Sequence, residues 1–284
     1  MISAKKSGAF SASVMGAFGL AACAASAGGR ATPAPAVELP RLELPRSLGA
    51  GSTVLVGDLH GTKEIPAFVG QLVSALTAHG PVVLGLEISP AQLPGLDAFL
   101  ASDGGAAAKA AALRDPWWRS EYQDGRRSVA MFELLEAMRR ARAGGRRIEV
   151  ACFDIDHGGE VDAERREEVM AANVRALRGR DRAAAVVIYA GNLHTRRAGV
   201  SFKPDFVWMA MRLAKAGVDF VSLNVRYSGG TAWTCTSANA ADCGAHPLEG
   251  IPHERGVHLE PSSDGGYDGW FGLGEINASP PAAR

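Results

Sequence analysis

The stretch VLVGDLHGTKE, Val54–Glu64, decides the fold. A run of branched apolar side chains breaks into Gly57-Asp58-Leu59-His60-Gly61 and then into residues that open a helix. An apolar run with no alternating polar face reads as a strand buried on both sides, and such strands belong to parallel sheets joined by helices. In an open parallel sheet, ligands bind outside the carboxyl ends of the strands. An acid and an imidazole delivered directly after this strand therefore stand where chemistry is expected.

The same rhythm continues along the chain. Further apolar runs are PVVLGLE at 81–87, RIEVACFD at 147–154, AAAVVIYAG at 183–191 and VDFVSLN at 218–224. Between the first two, Ile65, Phe68, Val69, Leu72, Val73 and Leu76 recur at helical spacing, giving one stripe that faces a sheet. Similar stripes run through Met131–Met138 and Val169–Leu177, and Pro204 is placed to open a helix through Leu213. The alternation predicts an α/β fold with a mostly parallel central sheet and helices on both faces. Residues 101–127, with DPWWRSEYQDGRR, break the rhythm as a lid, a pocket wall or a packed surface loop. From about residue 225 the chain becomes Gly-rich and irregular, which predicts a small C-terminal β appendage. Cys235 and Cys243 flank a polar loop there and are expected to form a disulfide worth about 2–3 kcal/mol. Cys152, within an apolar run, reads as a buried small hydrophobe.

A chain of 284 residues with 47% hydrophobic and 21% charged residues suffices for one large domain, read here as 48–284. Thirty basic residues balance thirty acidic ones, which leaves no footprint for nucleic acid and no polybasic membrane patch. The arginines at 139, 140, 142, 146 and 147 read as a solvated helix end. Residues 1–22 have the form of a secretory signal peptide: Lys5 and Lys6 precede an apolar run, Ala9 to Ala22, shorter than the ~20 residues that span a bilayer. Leu20-Ala21-Ala22-Cys23 resembles a bacterial lipobox, which implies a lipidated Cys23; the alternative is plain cleavage at a neighbouring small residue. Residues 23–47 then form a Pro-rich tether. Membrane contact through the N-terminal lipid implies the bacterial cell envelope, and Ala24 after Cys23 resembles the outer-membrane pattern, with the domain facing the periplasm.

Chemistry gathers where each apolar run ends: Asp58 and His60, then Glu87, Asp154 and Asp156, Asn192 and His194, Asn224 and Arg226. Imidazoles and carboxylates at one edge suit a divalent metal or a water to be deprotonated. Asp154 and Asp156 equally suit the capping of the next turn or helix, and Glu64 suits complementing a helix dipole. Gly57-Asp58-Leu59-His60-Gly61 resembles the D-x-H-G opening of metallophosphoesterases, but Leu193 separates Asn192 from His194 and no G-D-x-x-D/R loop exists. That family is therefore the remote alternative.

Gly57-x-x-His60, Glu87 and Gly191-x-x-His194 together resemble the Tiki superfamily, which includes TraB-like proteins, erythromycin esterases and the ChaN-like haem-binding uptake proteins. VVLGLEISPAQLPGLDAFL and VVIYAGNLHTRRAGV favour the ChaN-like branch, whereas His60-Gly61-Thr62-Lys63-Glu64 resembles the esterase branch. Asp58 stands where both branches usually carry Glu. The resemblance implies three arrangements. In a metal-dependent hydrolase, His60, Glu87 and His194 hold the metal and Asp58 or a neighbouring carboxylate takes a proton from water. In a metal-free esterase, His60 is the general base. In a haem carrier, Trp117 and Tyr122 form part of the slot. The implied partner is a small-molecule or peptide substrate, or haem. Arg126 and Tyr122 reach the pocket only if the segment before residue 127 folds over it.

Overall fold

The computed structural model describes residues 42–155 and 162–283. The signal sequence, Cys23, most of the tether and Asp156 lie outside the described residues. In chain order the elements are β1 (Thr53–Asp58), α1 (Glu64–Leu76), β2 (Val82–Leu86), α2 (Leu93–Leu100), α3 (Ala106–Ala112), α4 (Val129–Ala143), β3 (Ile148–Cys152), α5 (Ala163–Arg180), β4 (Ala185–Gly191), α6 (Met209–Lys215), β5 (Val221–Arg226), β6 (Gly229–Cys235), β7 (Cys243–Glu249), β8 (Gly256–His258) and β9 (Gly269–Gly272).

Among the described residues, seven strands form one sheet in the order β3-β2-β4-β1-β5-β9-β8, parallel throughout except for the antiparallel β8–β9 pair. Alternate side chains along each strand divide between two cores. Val54, Val56, Leu84 and Val187 pack with the apolar faces of α1, α2 and α4. Leu55, Val83, Val186 and Ile188 pack with Met170, Val174 and Leu177 of α5 and Met209 and Leu213 of α6. Helices thus cover both faces, as a sheet of doubly buried strands requires. Among the described residues, no helix is long and apolar enough to cross a membrane.

The structure departs from the sequence-based expectation at three places. The helix expected from Pro204 begins at Met209, because the Ala210 N–H is bound to the His194 carbonyl (3.0 Å) and the preceding residues turn through a Val200–Lys203 bridge. The small appendage is the β6–β7 hairpin, closed by the Cys235–Cys243 disulfide. GWFGLGEI instead supplies β9, which joins the central sheet beside β5 and stacks Phe271 on Phe68 of α1 at 4.1 Å between ring centroids. Packing also starts before Leu48, since Leu42 and Leu44 already lie against the core.

Phe271 is fully buried. Phe271→Ala should therefore destabilise the domain by about 3–5 kcal/mol in urea unfolding, the loss typical of a core aromatic. A peripheral strand would lose far less.

Candidate active site

Three neighbouring strands, β2, β4 and β1, build the site. Their register sets Asp58 opposite Gly191 and Leu86 opposite Tyr189, so the three carboxyl ends finish nearly level. His60 follows β1 and places its Nδ1 2.6 Å from Asp58 Oδ2. His194 follows β4 and places its Nδ1 2.7 Å from Glu167 Oε1. Between the two rings lies Glu87: its Oε2 is 3.6 Å from His60 Nε2, and its Oε1 is 3.6 Å from His194 Nε2. The Gly191 N–H donates to the same Oε2 at 2.7 Å. A β-carbon on Gly191 would stand 3.3 Å from His60 Nε2 and 3.4 Å from His194 Cδ2. The glycine that opens the second motif is what lets both imidazoles approach one carboxylate.

The N-terminal part of α5 supplies two residues that the strand ends did not reveal. Arg166 Nη2 donates to Glu87 Oε1 at 2.6 Å and to Asp154 Oδ2 at 2.8 Å, while its Nε donates to Asp154 Oδ1 at 2.8 Å. Its Nη1 lies 3.3 Å from His194 Nε2. Glu167 holds His194 through Oε1 and receives the Met209 N–H on Oε2 at 2.7 Å. Both had a signal in the sequence. Glu167 lies in register with the buried stripe of Met170, Ala171, Val174 and Leu177, where an acid needs a partner. Arg166 is a cation near the start of a helix, against the dipole, which calls for carboxylates from elsewhere.

The segment before residue 127 does fold over the site. Arg126 Nη1 donates to Glu87 Oε1 at 3.3 Å and to Asp154 Oδ2 at 3.4 Å, and its Nε and Nη2 are held by Asp124 at 3.0 and 2.7 Å. Burial alone would favour a neutral Glu87, but His194, His60, Arg126 and Arg166 outweigh it and hold the carboxyl well below its ordinary range. Burial pulls His60 down, yet the Asp58 and Glu87 carboxylates raise it above its ordinary value. Burial, with Asp58 and Glu87 nearby, pushes the Tyr189 phenol well up.

His60, Glu87 and His194 therefore meet, but not as the expected metal site. Among the described residues, no group of three His, Cys, Asp or Glu is disposed to hold a metal ion. Both Glu87 oxygens are already engaged, by Gly191 on one side and by two guanidiniums on the other, and Arg166 covers His194 Nε2. The donor set fits fixed organic cations rather than a divalent ion.

Other candidates lie elsewhere. Tyr122 is exposed and donates its hydroxyl to the Ser237 carbonyl at 3.3 Å, and Trp117 lies under the Arg127 guanidinium, edge-on to Trp118. Arg226 stacks over Trp270. Glu64 is buried and accepts two hydrogen bonds from Asn277, which ties the C-terminal segment to α1.

No protein-family model matches the chain. A proteasome subunit beta of Methanosphaerula palustris is 30% identical over 126 residues, 44% of this chain. The chain spans 59% of that relative's length, too little to place it in that family. Among solved structures, a mutant of the erythromycin esterase EreC in its open conformation superposes with a TM-score of 0.58, over 81% of this chain and 92% of that one, at 13% identity. The chain has the erythromycin-esterase fold. A succinoglycan biosynthesis protein shares it, with a TM-score of 0.54 at 11% identity over 81% of this chain and 89% of that one. So does a Bacillus cereus protein, with a TM-score of 0.51 at 12% identity over 82% and 90%. The paired G-x-x-H motifs implied a superfamily that includes this fold, and at such identities the likeness carries the fold alone, without selecting the ChaN-like branch.

The depressed Glu87 carboxyl contributes stability above its ordinary value of 4.5, and this is lost as pH falls toward its folded value. Glu87→Gln should destabilise the protein at pH 7 by about 3–5 kcal/mol, the loss typical when one partner of a buried ion pair is removed. Measured by urea unfolding across pH, the gap from the parent should narrow below pH 4.5. A constant gap would show that Glu87 does not carry charge in the folded state.

Proposed function

We propose that the protein is a hydrolase of small-molecule esters that activates water with His60 and needs no metal. The observation that supports this most is the pair of carboxylate-oriented imidazoles, Asp58–His60 and Glu167–His194, whose Nε2 atoms face one ionised carboxylate. When Nδ1–H is donated to Asp58, the His60 Nε2 lone pair is free to accept a proton. His60 is also the more accessible of the two rings, 23% exposed against 13%. Water held at Nε2 attacks the ester carbonyl as His60 takes its proton. The oxyanion that forms is opposed by the Arg126 and Arg166 guanidiniums, and the leaving alkoxide recovers the proton from His60. The erythromycin esterase among the structural relatives is consistent with this chemistry.

The test is hydrolysis of p-nitrophenyl acetate by the purified protein. His60→Ala should lower kcat/KM by about 10²–10⁴, the usual contribution of a general base. The rate should rise with pH through the raised His60 value, because only the neutral ring accepts a proton, and Asp58→Asn should move that rise to lower pH. Chelator should leave activity unchanged; loss on chelation with recovery on added zinc would overturn the proposal in favour of a metallohydrolase. A Soret band on adding haem, abolished by Tyr122→Ala or His60→Ala, would favour the haem carrier instead.

In the cell the proposed site is that of a lipoprotein in the bacterial envelope, anchored through Cys23 in the outer membrane and facing the periplasm. The lipobox-like Leu20–Cys23 and the Pro-rich stretch after it support this. Cys23→Ser should let a wash at about 0.5 M salt, which screens residual electrostatic attraction, release the protein from the membrane to the soluble fraction.

A further inference from the structure

Equal numbers of acidic and basic residues conceal a segregation of charge along the sheet. The carboxyl ends of the strands gather Asp58, Glu87, Asp154 and Glu167. The amino ends gather arginines. Arg147 immediately precedes β3, and its carbonyl receives the Val82 N–H at 2.9 Å. Arg175, Arg178 and Arg182 line one concavity with Gly51, Thr53 and Asp219 at the entries to β1 and β5. Arg146 lines another with His79, Ala78 and Leu42. Both lie at the amino ends of the strands, where Gly51, ahead of β1, donates its N–H to the Ala183 carbonyl at 3.0 Å.

Helix dipoles explain only part of this charge. Arg178 and Arg180 belong to the last turn of α5, where cations are expected. Arg146, Arg147 and Arg182 stand in the loops beyond their helices and are exposed. No ion pair joins Arg146, Arg147, Arg175 or Arg182 to a described carboxylate. Arg178 spends its donors on the Ala184, Asp181 and Arg182 carbonyls, which leaves its charge uncancelled. Among the acids here, Glu149 is paired with Arg180, whereas Asp181, which accepts only the Ala183 N–H, Asp219 and Glu43 keep their charge, so that the arginines are in excess but not alone.

The chain enters the described structure at this same rim. Leu42 lines one concavity together with Ser74, Ala78 and Arg146. It stands 19 positions after Cys23, a distance that a fully extended chain at about 3.3 Å per residue covers in about 60 Å. A lipid on Cys23 would hold these arginines near a bilayer at high effective concentration, so that weak attraction suffices. We infer that the amino-end rim, with Arg146, Arg147, Arg175, Arg178 and Arg182 around the entry of Leu42, is a docking face for anionic phospholipid headgroups. The opposite rim, with His60 and His194, then opens away from the membrane.

The tether argument rests on the proposed lipidation, whereas the face does not, and the test separates them. The full chain carrying Cys23→Ser, which cannot be lipidated at that position, is sedimented with phosphatidylglycerol/phosphatidylethanolamine vesicles and with phosphatidylcholine vesicles. Binding should occur on the anionic vesicles and weaken when salt rises from about 0.05 to about 0.5 M, as the Debye length shortens from about 14 to about 4 Å. Replacing Arg146, Arg147, Arg175 and Arg182 by Gln should weaken it at least tenfold while esterase activity persists. The control, Arg114→Gln with Arg119→Gln, should bind like the parent. Equal binding to both vesicle types, insensitivity to salt, or a quadruple variant that binds like its parent would each overturn the inference. The first two outcomes are read on the chain with its arginines intact and do not depend on how the variant folds.

Discussion

The site depends on keeping one buried carboxylate ionised. Glu87 is 5% exposed, and an isolated charge at such a depth would be driven to its neutral form. Here a backbone N–H takes one oxygen, two guanidiniums take the other, and an imidazole stands 3.6 Å from each. A neutral Glu87 would leave Arg166 and Arg126 short of counter-charge and would remove what the two rings face in common. Asp154 shares both guanidiniums and is itself held below its ordinary range: burial opposes ionisation, and its bonds with Arg166 prevail. Acids and bases at this edge are coupled, so a change at one alters the charge state of several.

Much of this was legible in the sequence because parallel strands speak plainly. Five apolar runs foretold five of the seven strands of the central sheet, and the polar residues after three of them, His60, Glu87 and His194, are the ones that meet. The order of strands explains why those three prevail: β2, β4 and β1 are adjacent, whereas Asn224 and Arg226 follow β5 on the far side of β1. That order is a property of long-range pairing, and no local pattern encodes it. Arg166 and Glu167 were hidden for a different reason. They sit in AERREEV, a string of charges that describes a solvated helix as well as a buried one, and only the phase of Glu167 relative to Met170 and Val174 distinguishes the two. Nor does the spacing of two histidines and a glutamate reveal that arginines, supplied by a loop and a helix, occupy the place where a metal was expected.

The C-terminal part, irregular as text, acquires its order from what it supports. The Trp233 N–H donates to the Gly61 carbonyl at 2.9 Å, and its indole N–H donates to the Gln123 carbonyl at 3.0 Å. One residue of the hairpin thus holds the loop after His60 and the segment that carries Arg126. The same Gly61 carbonyl receives the Ser279 N–H at 2.8 Å, and Glu64 is tied to Asn277. Gly125, at φ +95°, allows the three strands of chain to touch, since a β-carbon there would lie 2.5 Å from the Gly61 nitrogen and 2.7 Å from the Trp233 carbonyl oxygen.

This close packing determines what kind of cover lies over Glu87. A hinged lid is joined to its site by few contacts at its tip, so that opening breaks little. Here the segment is pinned at its tip, by Trp233 to Gln123 and by the Gly125–Gly61 contact, and again through Arg126 to Asp124, Glu87 and Asp154. Moving it aside would strip counter-charge from a buried carboxylate at the same time as it opened the hairpin contact. Arg126 is therefore a fixed wall of the site, and the disulfide-closed hairpin is the outer support that keeps it there. A cation held in this way can oppose developing negative charge without first reorganising, which is the condition under which a preformed charge is most effective in a reaction.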